Sequence, residues 1–486
     1  MLDRVSFSTA LVGIPIIVGF FVIAVLPVFK WTRRAGSKHP PGPKGVPFFG
    51  NLFQLSKQDF EEWGHKYGSG LESSKYLETD RPMHLGDMTY LEAFGQGILL
   101  LNSHTAAVDL LDRRSGIYSD RPSFIVINAL TRGLFLGATS YGDISSISLL
   151  LSTVYDVPPT LSLDDPLIKK FNDFDNLIIE AAYPGNYLVE FFGLMKFLPS
   201  IFAPWKRKAE KGFLEFSAFF EQLCRDIKKQ HDAGDEKPGI AGYIIREQRR
   251  LGLSDAESAW LPATFANGSA SVAEALQWFF LAMVAFPEKQ RKCQEELDAV
   301  VGRSRMPTVE DGDNLPYMKA TLRFFAGTQH VTRQDDWYQG YFIPKGTMCF
   351  AHIWLMNRDK KKYGLDAEDF NPGRFLDNEG NFVPIAGDTK DVYLETEGHV
   401  AYGFGPRICP GRYFANDALF IIFARLLWAA TISPAVDQRT GKPHLPALKD
   451  TIGEGITMRP SSFEIVVEPR FSEAVAMVAQ TKELCG

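Results

Sequence analysis

Hydrophobic residues recur at helical spacing over Leu214 to Gln230, Ala256 to Ala285 and Glu288 to Val301, which predicts three long helices in the middle of the chain. A further helix is expected from Pro410 to about Ala430. Strand patterns are shorter. Tyr90 to Asn102 reads as two strands around Gly95-Gln96-Gly97, with Ser103 capping a helix through Arg114. Tyr341 to Thr347 predicts a hairpin, and Phe463 to Val467 alternates like a strand before Glu468-Pro469-Arg470. Pro262 is expected either to kink the second long helix or to mark its true start. The architecture implied is mainly α with a minor β region.

The N-terminal pattern is of another kind. Ser8 to Phe29 holds no charged residue and is long enough to cross a bilayer as a helix, so residues 8–29 are expected to form a transmembrane anchor. Lys30, Arg33, Arg34 and Lys38 follow it, and positive residues on that side place the body in the cytosol. Residues 30–47 read as a basic, proline-rich linker through His39-Pro40-Pro41-Gly42-Pro43, and residues 48–486 as the catalytic body.

Charge and cysteine usage narrow the chemistry. The formal net charge of −6 argues against nucleic acid as a partner. The five cysteines are scattered, without a CxxC pair or a Cys/His spacing that would complete a zinc or iron–sulfur site. Cys409 stands apart, because Tyr402-Gly403-Phe404-Gly405-Pro406-Arg407-Ile408-Cys409-Pro410-Gly411 delivers it on a glycine-rich turn to a helix start. With Pro410 at the first helical position, Cys409 is expected at the N-cap, where the helix dipole and backbone N–H groups favour a thiolate. A lone thiolate suits a haem iron, whose macrocycle fills four positions and leaves one axial place for protein; the alternative is a buried structural cysteine after a turn.

This loop resembles the FGxGxRxCxG fingerprint of the cytochrome P450 family at every position, with Tyr402 in place of the first Phe. The resemblance covers about Pro40 to Arg470, and the chain is similar to fungal microsomal members that tailor secondary metabolites. It implies a cytochrome P450-like fold and a haem b whose iron takes Cys409 as axial ligand. Phe404 would lie in the cofactor-binding loop, with Arg407 and His330 on the haem propionates. It also implies insertion of one oxygen atom from O2 into a lipophilic small molecule, at the endoplasmic reticulum membrane. Electrons would come from an NADPH-dependent reductase, since the chain itself carries no flavin or nicotinamide fingerprint.

The oxygen-activating helix of that family resembles Asn267-Gly268-Ser269-Ala270-Ser271-Val272. Gly268 would loosen the helix over the haem and Ser271 would supply a hydroxyl, or else bond back to its own backbone. Ala270 stands where the family has a carboxylate, and a relay without its acid forgoes a contribution of typically ~100-fold or more. That substitution motivates an alternative, a haem protein with isomerase, dehydratase or peroxide-driven chemistry. Phe265, Ala266 and Gly455-Ile456-Thr457 are candidates for an apolar substrate wall.

Three departures interrupt the resemblance. Leu315 to Arg323 begins like the helix bearing an ExxR motif, but no Glu precedes an Arg by three there, so Arg374, its family partner, is expected to lose its network. No WxxxR element follows Asp143, and residues 69–85 look inserted. Such sharp edges are most economically explained by missed splice sites; the other reading is an inactive relic.

Overall fold

The computed structural model describes residues 38–46, 50–51, 87–93, 95–121, 124–132, 134, 151–158, 164–182, 186–191, 193–235, 238–266, 268–322, 330–383, 399–436, 439, 441–443, 451–453 and 458–485. The expected anchor at 8–29, the insertion at 69–85, the junction after Asp143 and the segment around Arg323 lie outside them. The described chain forms two compact units.

The first unit gathers described residues of 38–125, 187–202 and 330–352 around a small sheet. Strands β1 (Met88–Ala93) and β2 (Gln96–Leu101) pair antiparallel about Gly95, whose φ of 80° suits a tight turn. The next strands are β3 (His330–Val331), β4 (Asp336–Tyr338), β5 (Tyr341–Ile343) and β6 (Met348–Ala351). The sheet order is β1-β2-β6-β3, with β2 and β6 parallel. The hairpin falls one strand earlier than the pattern suggests. β4 pairs with β5 across Gln339 and Gly340, whose φ values of 49° and 78° match the mirror-image turn that fits strand twist. Ser103 caps His104–Ala107 as expected, accepting from Ala106 N–H, and the helix continues as a π-helical turn over Val108–Arg113.

The described part of the proline-rich stretch is not a free linker. Tyr90 N–H donates to Pro41 O at 2.9 Å, Phe342 N–H donates to Lys38 O at 2.9 Å, and the His39 ring stacks on Tyr90 at 4.8 Å. Gly42 is required there, since a β-carbon would fall 1.9 Å from Tyr90 O.

The second unit carries most of the helices: α1 (Pro166–Ala182), α2 (Pro204–Asp232), α3 (Ile240–Leu251), α4 (Asp255–Ala266), α5 (Ser269–Ala285), α6 (Pro287–Val300), α7 (Pro316–Thr321) and α8 (Arg412–Ala429). Small strands follow, β7 (Ala430–Pro434), β8 (Thr451–Gly453), β9 (Met458–Pro460) and β10 (Ile465–Pro469), and then α9 (Ser472–Cys485). β10 pairs antiparallel with β7, and β8 with β9.

The helix predicted from Ala256 to Ala285 is interrupted, but not at its proline. Pro262 lies inside α4, and α5 starts after Gly268, which is its N-cap. Pro262 removes the N–H that Ser258 O would accept, and the thiol of Cys224 on α2 donates to that carbonyl at 3.7 Å. Among the described residues only 255–285 is apolar and long enough to cross a membrane, and 62% of its most apolar window is buried inside the protein. It is a core element.

Two large hydrophobic clusters stand out among the described residues of this unit. In one, α5 and α8 meet through Phe279 and Phe423, stacked at 3.7 Å, with Leu281, Met283, Leu297, Met318 and Trp428 buried around them. Buried Gln290 fastens β7 to α6, donating to Ile432 O at 2.8 Å and accepting from Ile432 N–H at 2.7 Å. The other core packs α1, α2 and α4 through Phe171, Phe174, Phe220 and Trp260. Trp260 Nε1 donates to Ser217 Oγ at 3.1 Å. Asp175, 1% exposed, sits on the same α1 face, and its Oδ1 has no hydrogen-bond partner.

Candidate functional site

The loop before α8 is built by its glycines. Gly403 and Gly405 adopt φ of 82° and 57°, a region that disfavours side chains, and Gly405–Arg407 then closes a 3-10 turn. Cys409 N–H donates to Tyr402 O at 2.9 Å, which locks the loop across its base. Tyr402 O–H reaches Asn416 Oδ1 at 2.7 Å, tying the loop to the first turns of α8. Upstream, Ala401 N–H donates to the Nδ1 of buried His399 at 3.0 Å. Phe404 is 1% exposed and plugs the loop into the protein.

Cys409 is not the helix cap. α8 starts at Arg412 with Gly411 as N-cap, so Pro410 belongs to the turn and not to the first helical position. The Gly411 N–H bonds the sulfur and the Arg412 cation lies near it, and both favour a thiolate. Burial nevertheless dominates and pushes the thiol up from its ordinary value. Arg412 also donates Nη1 to Cys409 O at 3.3 Å.

The end of α4 approaches this loop. A β-carbon on Gly411 would lie 3.9 Å from Cys409 Sγ and 4.0 Å from Phe265 Cζ, so the Phe265 ring faces the loop. Phe265 meets Phe414 on α8 edge to face at 6.2 Å. Ala266 beside it is 2% exposed. Of the expected apolar wall, Phe265 lies near the cysteine loop, while residues 455–457 lie outside the described ones. Phe414 was not singled out by the sequence, although its place three residues past the helix-capping Gly411 aims it at the same end of α8 as the loop.

Gly268 caps α5 at the helix break, its N–H donating to Phe265 O at 3.1 Å. Ser271 is exposed, and its Oγ donates to Gly268 O at 2.9 Å, so the hydroxyl is bonded back to its own backbone. Arg407 is exposed on the 3-10 turn. His330 lies on β3 of the first unit, where its backbone pairs with Cys349; its side chain is outside the described ones.

Arg374 departs from expectation. Its side chain is 9% exposed yet well partnered, with Nε donating to Asn371 O at 3.2 Å and Nη2 to Asp366 O at 2.5 Å and Asp369 O at 2.8 Å. Asp366 Oδ2 adds an ion pair at 3.4 Å. The expected loss of a network does not occur, because backbone carbonyls and Asp366 take the place of the side chains that the shortened α7 lacks. No sequence motif announces such carbonyl partners.

Among the described residues there is no group of three or more His, Cys, Asp or Glu side chains able to hold a bare metal ion. One sulfur on a glycine turn, bonded by an N–H, with Phe265 packed near the same turn, instead suits an iron whose other ligands come from a macrocycle. Comparison with known proteins agrees. Residues 157–457 match the family described as Cytochrome P450. The chain is 40% identical to cytochrome P450 monooxygenase iboC of Amanita muscaria, over 93% of this chain and 94% of that protein. It is 34% identical to cytochrome P450 monooxygenase 58 of Postia placenta, over 98% and 97%. It is 30% identical to cytochrome P450 monooxygenase COX2 of Coprinopsis cinerea, over 99% and 98%. With a matched glycine–cysteine loop, a mainly helical body and near full-length likeness to these fungal enzymes, the chain belongs to the cytochrome P450 family and is a monooxygenase.

Proposed function

We propose that Cys409 would hold the iron of a haem b through its sulfur and that the enzyme oxygenates a lipophilic small molecule in fungal secondary metabolism. The observation that carries this is the Cys409 sulfur, held by the Gly411 N–H on a glycine turn opposite Phe265. When bound, the haem supplies activation of dioxygen. The chain's own residues do the rest. The Gly411 N–H and the Arg412 cation favour the anionic sulfur that would hold the haem iron, against the opposing effect of burial. Phe265, Ala266 and Phe414 exclude water and offer an apolar face to substrate. Gly268 caps α5 at the interruption, and Arg407 would meet a haem propionate. Ser271 shapes the same break through its bond to Gly268 O.

Electrons would come from NADPH through a separate cytochrome P450 reductase. The body would sit on the cytosolic face of the endoplasmic reticulum, held by residues 8–29. Exposed Phe197, Ile201 and Phe202, beside Lys196, support a lipid-facing surface.

The reduced carbon-monoxide difference spectrum of the full chain tests the central reading. A long-wavelength Soret band typical of thiolate-bound haem is expected, and Cys409→Ala must abolish it. A folded, haem-free protein would overturn the assignment.

A further inference from the structure

Strand β10 leaves one edge open, and its register shows which groups are free. Ala435 N–H donates to Glu464 O at 3.1 Å and Arg470 N–H to Ala429 O at 2.9 Å, so the even-numbered residues along β10 bond to β7. The N–H and C=O groups of Ile465 and Val467 therefore point away from β7, and among the described residues nothing bonds them. The other flank of this sheet is closed. Gln290 holds both backbone groups of Ile432, and Gln294 donates to Ala430 O at 3.0 Å.

The side chains along the edge select what fits it. Val466 and Val467 are 42% and 51% exposed, and Glu468 and Pro469 are exposed beside them, so solvent reaches the open flank. Glu464, Val466 and Glu468 alternate onto one face, and neither carboxylate has an ion-pair partner among the described residues. An antiparallel strand bonding at Ile465 and Val467 would set its own residues opposite 464, 466 and 468 in the closer, non-hydrogen-bonded pairs, where side chains interact most. A second copy of β10 is a poor occupant. Using both outward residues of each strand centres the two-fold axis on Val466 and sets Glu464 of each copy against Glu468 of the other, and like charges directly opposite destabilise a pair.

We propose that the open edge of β10 docks an extended, basic segment of another protein by antiparallel strand addition, with two cationic residues flanking a β-branched one at alternate positions. The cations meet Glu464 and Glu468, and the residue between them covers Val466. Pro469 has no N–H and ends the pairing on its side. Backbone bonds give the contact its affinity, and the two carboxylates give it its preference for a basic partner.

The test is fluorescence anisotropy of a labelled peptide containing Lys-Thr-Val-Thr-Lys, titrated with the full-length protein. Saturable binding is expected, and the same peptide with glutamate for both lysines should bind at least about tenfold more weakly. Methylating both threonine amides, the donors toward β10, should abolish binding. Val467→Pro removes an outward donor without touching the ladder to β7 and should weaken binding about tenfold. Glu464→Lys combined with Glu468→Lys, both at exposed positions, should reverse the preference between the two peptides. No saturable binding of the lysine peptide to the unaltered protein overturns the proposal, and so does a charge-reversed protein that still prefers that peptide. Binding that survives amide methylation overturns it in favour of charge attraction alone. Self-association of the protein, abolished by Val467→Pro, overturns it in favour of a second copy.

Discussion

The carbonyl of Ser258, deprived of its helical donor by Pro262, accepts the thiol of Cys224 from a neighbouring helix at 3.7 Å. Burial pushes the Cys224 thiol up to about 11, so it remains a protonated donor at neutral pH. The two residues form one device, and each is explained by the other. Cys224→Ala should therefore destabilise the protein by about 1 kcal/mol, the net worth of a typical hydrogen bond. In a Pro262→Ala background, where the helix supplies its own donor, the same change should have almost no effect beyond lost packing. Denaturant midpoints of the four proteins in this cycle check the coupling.

Asp175 lies in an aromatic core without a partner for Oδ1, and burial raises its carboxyl well above the ordinary value of 3.8. A carboxyl raised on folding holds its proton longer in the folded state. Stability is then greatest below the unfolded value and declines as pH rises toward the folded one. Asp175→Asn carries no such penalty. It is expected to raise the unfolding midpoint at pH 7, with the gain shrinking as pH falls toward 4; a gain independent of pH would refute this.

The stack of Phe279 on Phe423 joins α5 to α8 at the centre of the larger core. Phe279→Ala is expected to cost about 3 to 5 kcal/mol, and Phe279→Leu substantially less, because leucine refills most of the volume. Urea unfolding curves measure both.

Ser271 has its hydroxyl committed to Gly268 O. Ser271→Ala should therefore leave reductase-supported turnover within about threefold of the parent. A loss of ~100-fold, the scale of a positioned proton donor, would instead assign the hydroxyl to proton delivery. Coupling of NADPH consumption to product, measured together with turnover, separates the two.

Phe265 faces the cysteine loop from the end of α4. Phe265→Ala should weaken the binding of an apolar substrate about tenfold, as read from optical titration, with Phe265→Leu intermediate. The estimate corresponds to loss of part of an aromatic side chain's buried apolar area.

The long helices were legible because their periodic apolar faces extend over many turns, and α2 and α6 differ from expectation mainly at their ends. The glycine–cysteine loop was legible because Gly403 and Gly405 take backbone angles that other residues resist. Where reasoning failed, a partner remote in sequence had decided the outcome. Pro262 suggested a break, whereas the helix runs through it with Cys224 bonded to the freed Ser258 carbonyl, and the shortened ExxR region suggested an orphaned Arg374 that local carbonyls satisfy. The start of α8 slipped from Pro410 to Arg412 because Gly411 took the cap. None of these choices leaves a periodic trace.

The way Arg374 is held has an evolutionary consequence. Its partners at positions 363, 366, 369 and 371 include four main-chain carbonyls, which every amino acid possesses. Substitutions at those positions that preserve the chain path leave the acceptors in place. A network built from side chains can be lost by single substitutions; this one is buffered against genetic drift, and the enzyme can tolerate the loss of a motif elsewhere without exposing the same arginine to ruin.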